Sequence, residues 1–165
     1  MKKLIISSLF MFFAATTILK ADSITFKKDD GGSEKIASTV LQHFGYTFYR
    51  ASEVNWTINK SYQKATFLLN GKATYALYDL DNKFLVATQL VGSNDLPTKA
   101  QKELISEYST YKVANVLKVI ARPTDYNLQD DTNAYWVDLT NQTSRLVAIA
   151  FPGSDLNLVK SEKIK

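Results

Sequence analysis

Hydrophobic residues in the first half of the chain follow a helical period and then a strand period. An apolar stripe with a spacing of four predicts an amphipathic helix that starts near a Ser33 cap. Its apolar positions are Ile36, Val40, Phe44 and Phe48. From residue 54 the alternation has a period of two, and Asn70-Gly71 is a strong hairpin signal. The predicted strands are 54–57, 62–69, 73–80 and 84–91.

The same order of elements returns in the second half. After a break at residues 92–95, Pro97 opens a helix whose apolar side is formed by Ala100, Leu104 and Tyr108. Strands are predicted at 112–120, 134–140, 145–151 and 156–159. We therefore predict an α+β fold made of two tandem helix-plus-antiparallel-meander units, with the helices packed on one face of the sheet. The units are residues 33–92 and 93–165 of one duplicated domain.

The N-terminus has the layout of a secretory signal peptide. A basic start is followed by the uncharged, largely apolar residues 4–19, and Ala21 offers a small residue at a cleavage site. A retained N-terminal anchor is the alternative reading. We expect cleavage near Ala21, a flexible charged leader over residues 22–32, no membrane span after cleavage, and a periplasmic or secreted protein.

Removal of the signal peptide changes the charge balance. The chain has 20 basic and 16 acidic residues, and three of the basic ones are Lys2, Lys3 and Lys20. The remaining chain is nearly neutral, so electrostatic binding of nucleic acid is not expected. The absence of cysteine excludes disulfides and thiol chemistry.

Candidate catalytic and metal-ligating residues are sparse. The single histidine, His43, lies beside the apolar stripe of the first helix and is typical of a boundary position. Residues 79–82 resemble the start of a calcium loop, but Phe84 and Leu90 stand where glycine and glutamate are needed. Acidic residues of loop 121–133 are interpreted as solvated. We therefore predict no enzyme, no metal and no cofactor.

Aromatic residues in or beside the strands are the remaining candidates for function. A sheet covered by helices on one face leaves its other face available to solvent or a partner. Tyrosine and tryptophan on such a face suit protein contacts, and the alternative is that most of them fill the core or lie at its edge. The candidate partner-binding residues are Trp56, Tyr62, Tyr75, Tyr78, Tyr126, Tyr135 and Trp136. Loop 121–133 is either functional or a tolerated insertion.

Several of these features together resemble a known family. They are Trp56, Tyr62-x-x-Ala65-x-Phe67, Asn70-Gly71, Ala76-x-Tyr78-Asp79-x-Asp81 and Leu96-Pro97 ahead of a helix. The pattern resembles the PepSY-like, or β-lactamase-inhibitor-like, secreted proteins of the Bacteroidetes. The resemblance implies a tandem layout like that of the β-lactamase inhibitory protein and a link to restraint of peptidases. Asn82 replaces the usual glycine, and the lack of disulfides means that the inhibitor's target is not implied.

These observations predict an exported, non-catalytic binding protein that captures or inhibits an envelope protein or peptidase through an aromatic sheet face. The alternative is a small-ligand carrier or sensor, with the ligand held between helix and sheet. Homo-oligomerisation through an exposed face of the sheet is also open.

Overall fold

The computed structural model describes residues 36–123 and 133–164. The predicted signal peptide, the leader, the Ser33 cap, Tyr126 and most of loop 121–133 lie outside these residues. The elements, in chain order, are α1 Ser38–Thr47, β1 Ala51–Ile58, β2 Gln63–Leu69, β3 Lys72–Tyr78, β4 Phe84–Val91, α2 Thr98–Ser106, β5 Lys112–Ala121, β6 Tyr135–Thr140, β7 Ser144–Ala150 and β8 Leu156–Lys163.

All eight strands belong to one antiparallel sheet, in the order β1 to β8. Strand β4 pairs directly with β5, where Val91 stands opposite Val116. The prediction of two tandem helix-plus-meander units in an α+β fold is therefore wrong. The protein is mostly a single meander sheet with two helices in the described residues. The physical reason is that, in two separate sheets, the outer edge of β4 would carry unpaired backbone N–H and C=O groups. Pairing with β5 supplies their hydrogen bonds.

The turns follow the chemistry of their sequences. Asn70 and Gly71 both have positive φ, of 53° and 75°, as a tight β2–β3 hairpin requires. Asn82 has a φ of 66° in the β3–β4 turn, where asparagine tolerates the left-handed region. Its side-chain oxygen accepts a hydrogen bond from Gln63 Nε2 at 2.8 Å. Residues 79–82 thus belong to the turn that joins β3 to β4.

Helix α1 packs on the first half of the sheet through aromatic rings. The Phe44 ring lies 4.9 Å from Phe67 and 5.2 Å from Trp56, between ring centroids. Tyr78 is fully buried in this cluster, and its hydroxyl hydrogen-bonds to Nδ1 of His43 at 2.9 Å. Burial raises the pKa of the Tyr78 hydroxyl above its usual 10.0. The layer between α1 and the sheet is thus filled by side chains.

Helix α2 covers the second half of the sheet on the same side. Ala87 and Val91 lie four residues apart in β4 and therefore share a face. Ala87 belongs to the cluster under α1, and Val91 packs against the cluster that includes Ala100 of α2. Glu103 of α2 also accepts a hydrogen bond from the backbone N–H of Leu156 at 2.6 Å. Both helices therefore lie on one face, which we call the helix face.

No helix in the part of the chain that the structure describes has the length and apolar character needed to cross a bilayer. A 3₁₀ turn, Ser93–Asp95, lies at the predicted division between residues 92 and 93, and that division stays a prediction.

Phe67→Ala should strongly destabilise the protein. The Phe67 side chain is fully buried between Phe44 and Phe48, so its removal leaves a cavity that costs about 3–5 kcal/mol of unfolding free energy. Denaturant unfolding measures the loss. Tyr46→Ala is the control, because Tyr46 is 83% exposed and should change stability by less than about 0.5 kcal/mol. Equal effects of both variants would contradict this packing.

Tyr78→Phe should flatten the alkaline loss of stability. Because burial raises the folded-state pKa of Tyr78, the unfolded state loses this proton first, and stability falls as pH rises above about 10. The variant has no hydroxyl to titrate, so it lacks this alkaline loss of stability. At neutral pH it loses the hydrogen bond to His43, which costs about 0.5–1.5 kcal/mol of unfolding free energy. Thermal melts of both proteins at neutral and alkaline pH test this. A steeper alkaline fall in the variant would contradict it.

Candidate functional site

The structure distributes the candidate partner-binding residues over both faces of the sheet. Trp56 and Tyr78 are buried beneath α1 on the helix face, and Tyr135 packs at the edge of the cluster under α2. Tyr62, Tyr75 and Trp136 come together on the opposite face. The residues therefore do not share one surface, and their role in partner binding stays a prediction.

The face opposite the helices carries its own apolar cluster. Its centre is buried, and its rim is half-buried. The central side chains are Tyr62, Leu77, Val86, Leu117, Val119, Ala134, Trp136 and Val147, and the rim includes Tyr75, Leu90, Ile149 and Phe151. We call this surface the opposite face. It extends across strands β3 to β7, because residues that stand opposite each other in the ladder point to the same side.

A cation stands beside the aromatic rim of the opposite face. Lys64 of β2 alternates with the buried Ala65, which places it on the opposite face, and its Nζ lies 6.0 Å from the centre of the Tyr75 ring. Burial lowers the pKa of the Lys64 ammonium and raises the pKa of the Tyr75 hydroxyl. The ammonium is therefore partly desolvated and lies next to an aromatic ring.

An ion pair lies in the same face, further along the sheet. Asp138 of β6 is 2% exposed, and Arg145 of β7 donates to it through Nε at 2.8 Å and Nη2 at 2.5 Å. The hydrogen bond to Asp138 is the main reason that the pKa of Arg145 is raised. Sequence reasoning missed this pair. The available signal was an acidic residue inside a strand with a period of two. In β6, Asp138 shares one side with Trp136 and Thr140, and Val137 and Leu139 take the other side.

His43 and Asp138, two titratable groups of the described residues, lie on different faces of the sheet. His43 lies on the helix face with its Nδ1 bonded to Tyr78, whereas Asp138 lies on the opposite face and is paired with Arg145. Within residues 36–123 and 133–164 there is no group of three or more histidine, cysteine or acidic side chains close enough to share a metal ion. The opposite face therefore carries two chemically distinctive features, the aromatic rim with Lys64 and the Asp138–Arg145 pair.

A hollow of about 560 Å³ lies at the end of the sheet formed by the β6–β7 turn and the start of β5. It is lined by residues of the β6–β7 turn and of the start of β5, namely Thr110, Lys112, Thr140, Asn141, Gln142 and Thr143. Asn141 is already engaged, because its side-chain oxygen accepts hydrogen bonds from the backbone N–H groups of Thr143 and Ser144. The hollow is therefore part of an ordered turn, and it does not lie between a helix and the sheet.

Comparison with known proteins gives the fold. No family model matches the chain, and no curated protein matches it. Among solved structures, a DUF2874 family protein from Bacteroides uniformis aligns with a TM-score of 0.61 and 19% identity, covering 78% of this chain and 89% of that one. A BLIP-like protein from Bacteroides fragilis aligns with a TM-score of 0.62 and 15% identity, covering 82% and 92%.

A third structure, of a proposed periplasmic protein from Bacteroides eggerthii, aligns with a TM-score of 0.60 and 17% identity over 78% of this chain and 88% of that chain. The β-lactamase-inhibitor-like part of the sequence resemblance is thus supported at the level of the fold, and the PepSY-like label stays a prediction. The chain has the fold that these DUF2874 and BLIP-like proteins of Bacteroides share.

Proposed function

We propose that this chain is an exported, non-catalytic protein that binds a protein or peptide partner through the opposite face. The observation that carries the proposal is the half-buried aromatic and aliphatic rim around Tyr75, with Lys64 beside it, on the face away from both described helices. Aromatic anchors next to a polar or charged group are typical of the residues that dominate binding energy in protein interfaces.

Export and a periplasmic location are part of the proposal. The layout of residues 1–21 supports export, and the fold similarity to a proposed periplasmic protein points in the same direction. The sequence resemblance to β-lactamase-inhibitor-like proteins supports a binding role, and a BLIP-like protein has a similar fold. Capture or inhibition of an envelope protein or peptidase is the form of binding that we propose.

The rim indicates the chemistry of the partner. Burial lowers the pKa of the Lys64 ammonium, which lies beside the half-buried Tyr75 ring on the rim. A charged group beside aromatic and aliphatic side chains suits a partner that presents both an acidic and an apolar side chain. We expect such a partner to bring its acidic side chain over Lys64 and its apolar side chain against Tyr75 and Leu90. Occlusion of a partner's own site would follow from contact across several strands.

The absence of catalysis is also proposed on geometry. A nucleophile, a base and an oxyanion site must converge within hydrogen-bond distance of one substrate. His43 and the Asp138–Arg145 pair lie on different faces of the sheet, so they cannot act on the same bound molecule. The ligand-carrier alternative receives no support from the layer under α1, because the Phe44, Phe48 and Phe67 rings are in mutual contact there.

Photocrosslinking from the opposite face should capture a defined partner. A photoreactive phenylalanine analogue at Tyr75, in the chain from Asp22 onward, is expected to crosslink to one reproducible envelope protein, because Tyr75 lies on the proposed contact rim. The same analogue at Tyr46 is the matched control, since Tyr46 is exposed at the end of α1. Mass spectrometry identifies the products. Crosslinks from Tyr46 alone would contradict the proposal.

Once the partner is known, Tyr75→Ala should weaken its binding by about tenfold to thirtyfold, which corresponds to ~1.4–2 kcal/mol. Ile105→Ala, at a position of α2 that is 78% exposed, should leave binding unchanged. Calorimetry with the purified partner measures both, and melting curves establish that both variants are folded. If the partner is an enzyme, its inhibition should fall in parallel with binding.

A further inference from the structure

Strand β1 forms one edge of the sheet, and part of it is uncharged and apolar. Val54 and Ile58 are 41% and 42% exposed, and they lie on the helix face on either side of the buried Trp56. In the described residues, β1 pairs only with β2, so its outer backbone groups face away from the sheet. Edges of this kind readily pair with another strand.

The other edge of the sheet differs from β1 in charge. Strand β8 carries Lys160, Glu162 and Lys163, and the first two of these form an ion pair. Charged side chains on an edge strand are a common protection against pairing with another chain. Residues 54–58 carry no charge. The contrast singles out β1 as the edge that remains competent to pair.

We propose that β1 pairs with β1 of a second copy, antiparallel and across a two-fold axis at Trp56. A two-fold interface requires a self-complementary surface, and residues 54–58 read almost the same in both directions: aliphatic, polar, aromatic, polar, aliphatic. In this register Val54 stands opposite Ile58 of the second copy, and Asn55 stands opposite Thr57. Each exposed aliphatic side chain is thereby covered by its counterpart.

Charges at the two ends of the strand fit the same register. Glu53 precedes the paired segment and Lys60 follows it, and both are exposed. Antiparallel pairing places Glu53 of each copy opposite Asn59 of the other, so that Lys60 is the next residue along and opposite charges meet at both ends of the interface. A parallel arrangement would instead place like charges together, which is destabilising.

A β-bulge limits the length of the pairing. The register of β1 with β2 shifts between Ser52 and Asn55, and Glu53 has a φ of 54°. Glu53 and Val54 have no opposed residue in β2, so the bulge includes Val54. Bulges bend an edge strand away from regular pairing, so the ladder between copies is confined to about five residues, 54–58, and is regular only from Asn55 onward. An interface of this length falls below the roughly 1,200 Å² of a stable complex. We therefore expect a weak, reversible dimer that closes on itself and does not extend into fibres.

Sedimentation over a wide concentration range tests the dimer. The chain from Asp22 onward should move from monomer to dimer as concentration rises, and Ile58→Lys should weaken dimerisation by about tenfold or more, because it places a charge in the paired segment. Leu158→Lys is the matched control on the β8 edge, where Leu158 is 53% exposed, and it should dimerise like the parent chain. Circular dichroism checks that both variants are folded.

Disulfide trapping tests the register. In a chain without native cysteine, Asn55→Cys and Thr57→Cys molecules should crosslink rapidly when mixed, because directly opposed positions have Cβ atoms about 4.5–5.5 Å apart. Either variant alone should crosslink slowly, since like positions are then diagonal. A monomer at all concentrations, equal crosslinking in all samples, or loss of the dimer in Leu158→Lys but not in Ile58→Lys would overturn the proposal.

Discussion

The continuous hydrogen-bonded ladder from β1 to β8 is the constraint on which the rest of the structure depends. Because side chains alternate along every strand, one ladder creates two faces with separate chemistry and two edges. The two described helices take the same face, since Ala87 and Val91 share a side of β4. The opposite face is thereby left with its own apolar cluster, in which Tyr62, Tyr75 and Trp136 meet.

Local patterns in the sequence were sufficient to find the elements. The period of four predicted α1, the Asn70-Gly71 turn predicted the β2–β3 hairpin, and β4 begins and ends at the predicted residues. The pairing of β4 with β5 could not be read in this way, because it joins strands on either side of α2 and depends on tertiary contacts. A repeated order of elements therefore suggested two units where the backbone forms one sheet.

The same limit applied to the candidate site. Aromatic residues could be assigned to strands from the sequence. The face of the sheet to which each side chain points, however, depends on where the strand begins and on whether it contains a bulge. Trp56 follows the bulge of β1 and turns under α1, whereas Tyr75 falls on the other side of β3. The Asp138–Arg145 pair was missed because the sequence shows an acidic residue in an apolar strand but does not show which residue lies near it. That partner is identified only when the β6–β7 register is known.

Covalent footprinting of the two faces, with hydroxyl radicals, is the most direct test of binding through the opposite face. The account predicts that the captured partner slows modification of Tyr75 and Phe151 on the rim, while Tyr46 and Tyr49, exposed beside α1, react as in the free protein. Protection of Tyr46 and Tyr49 with no change at Tyr75 and Phe151 would contradict it, and would move the binding surface to the side of the molecule that carries the helices.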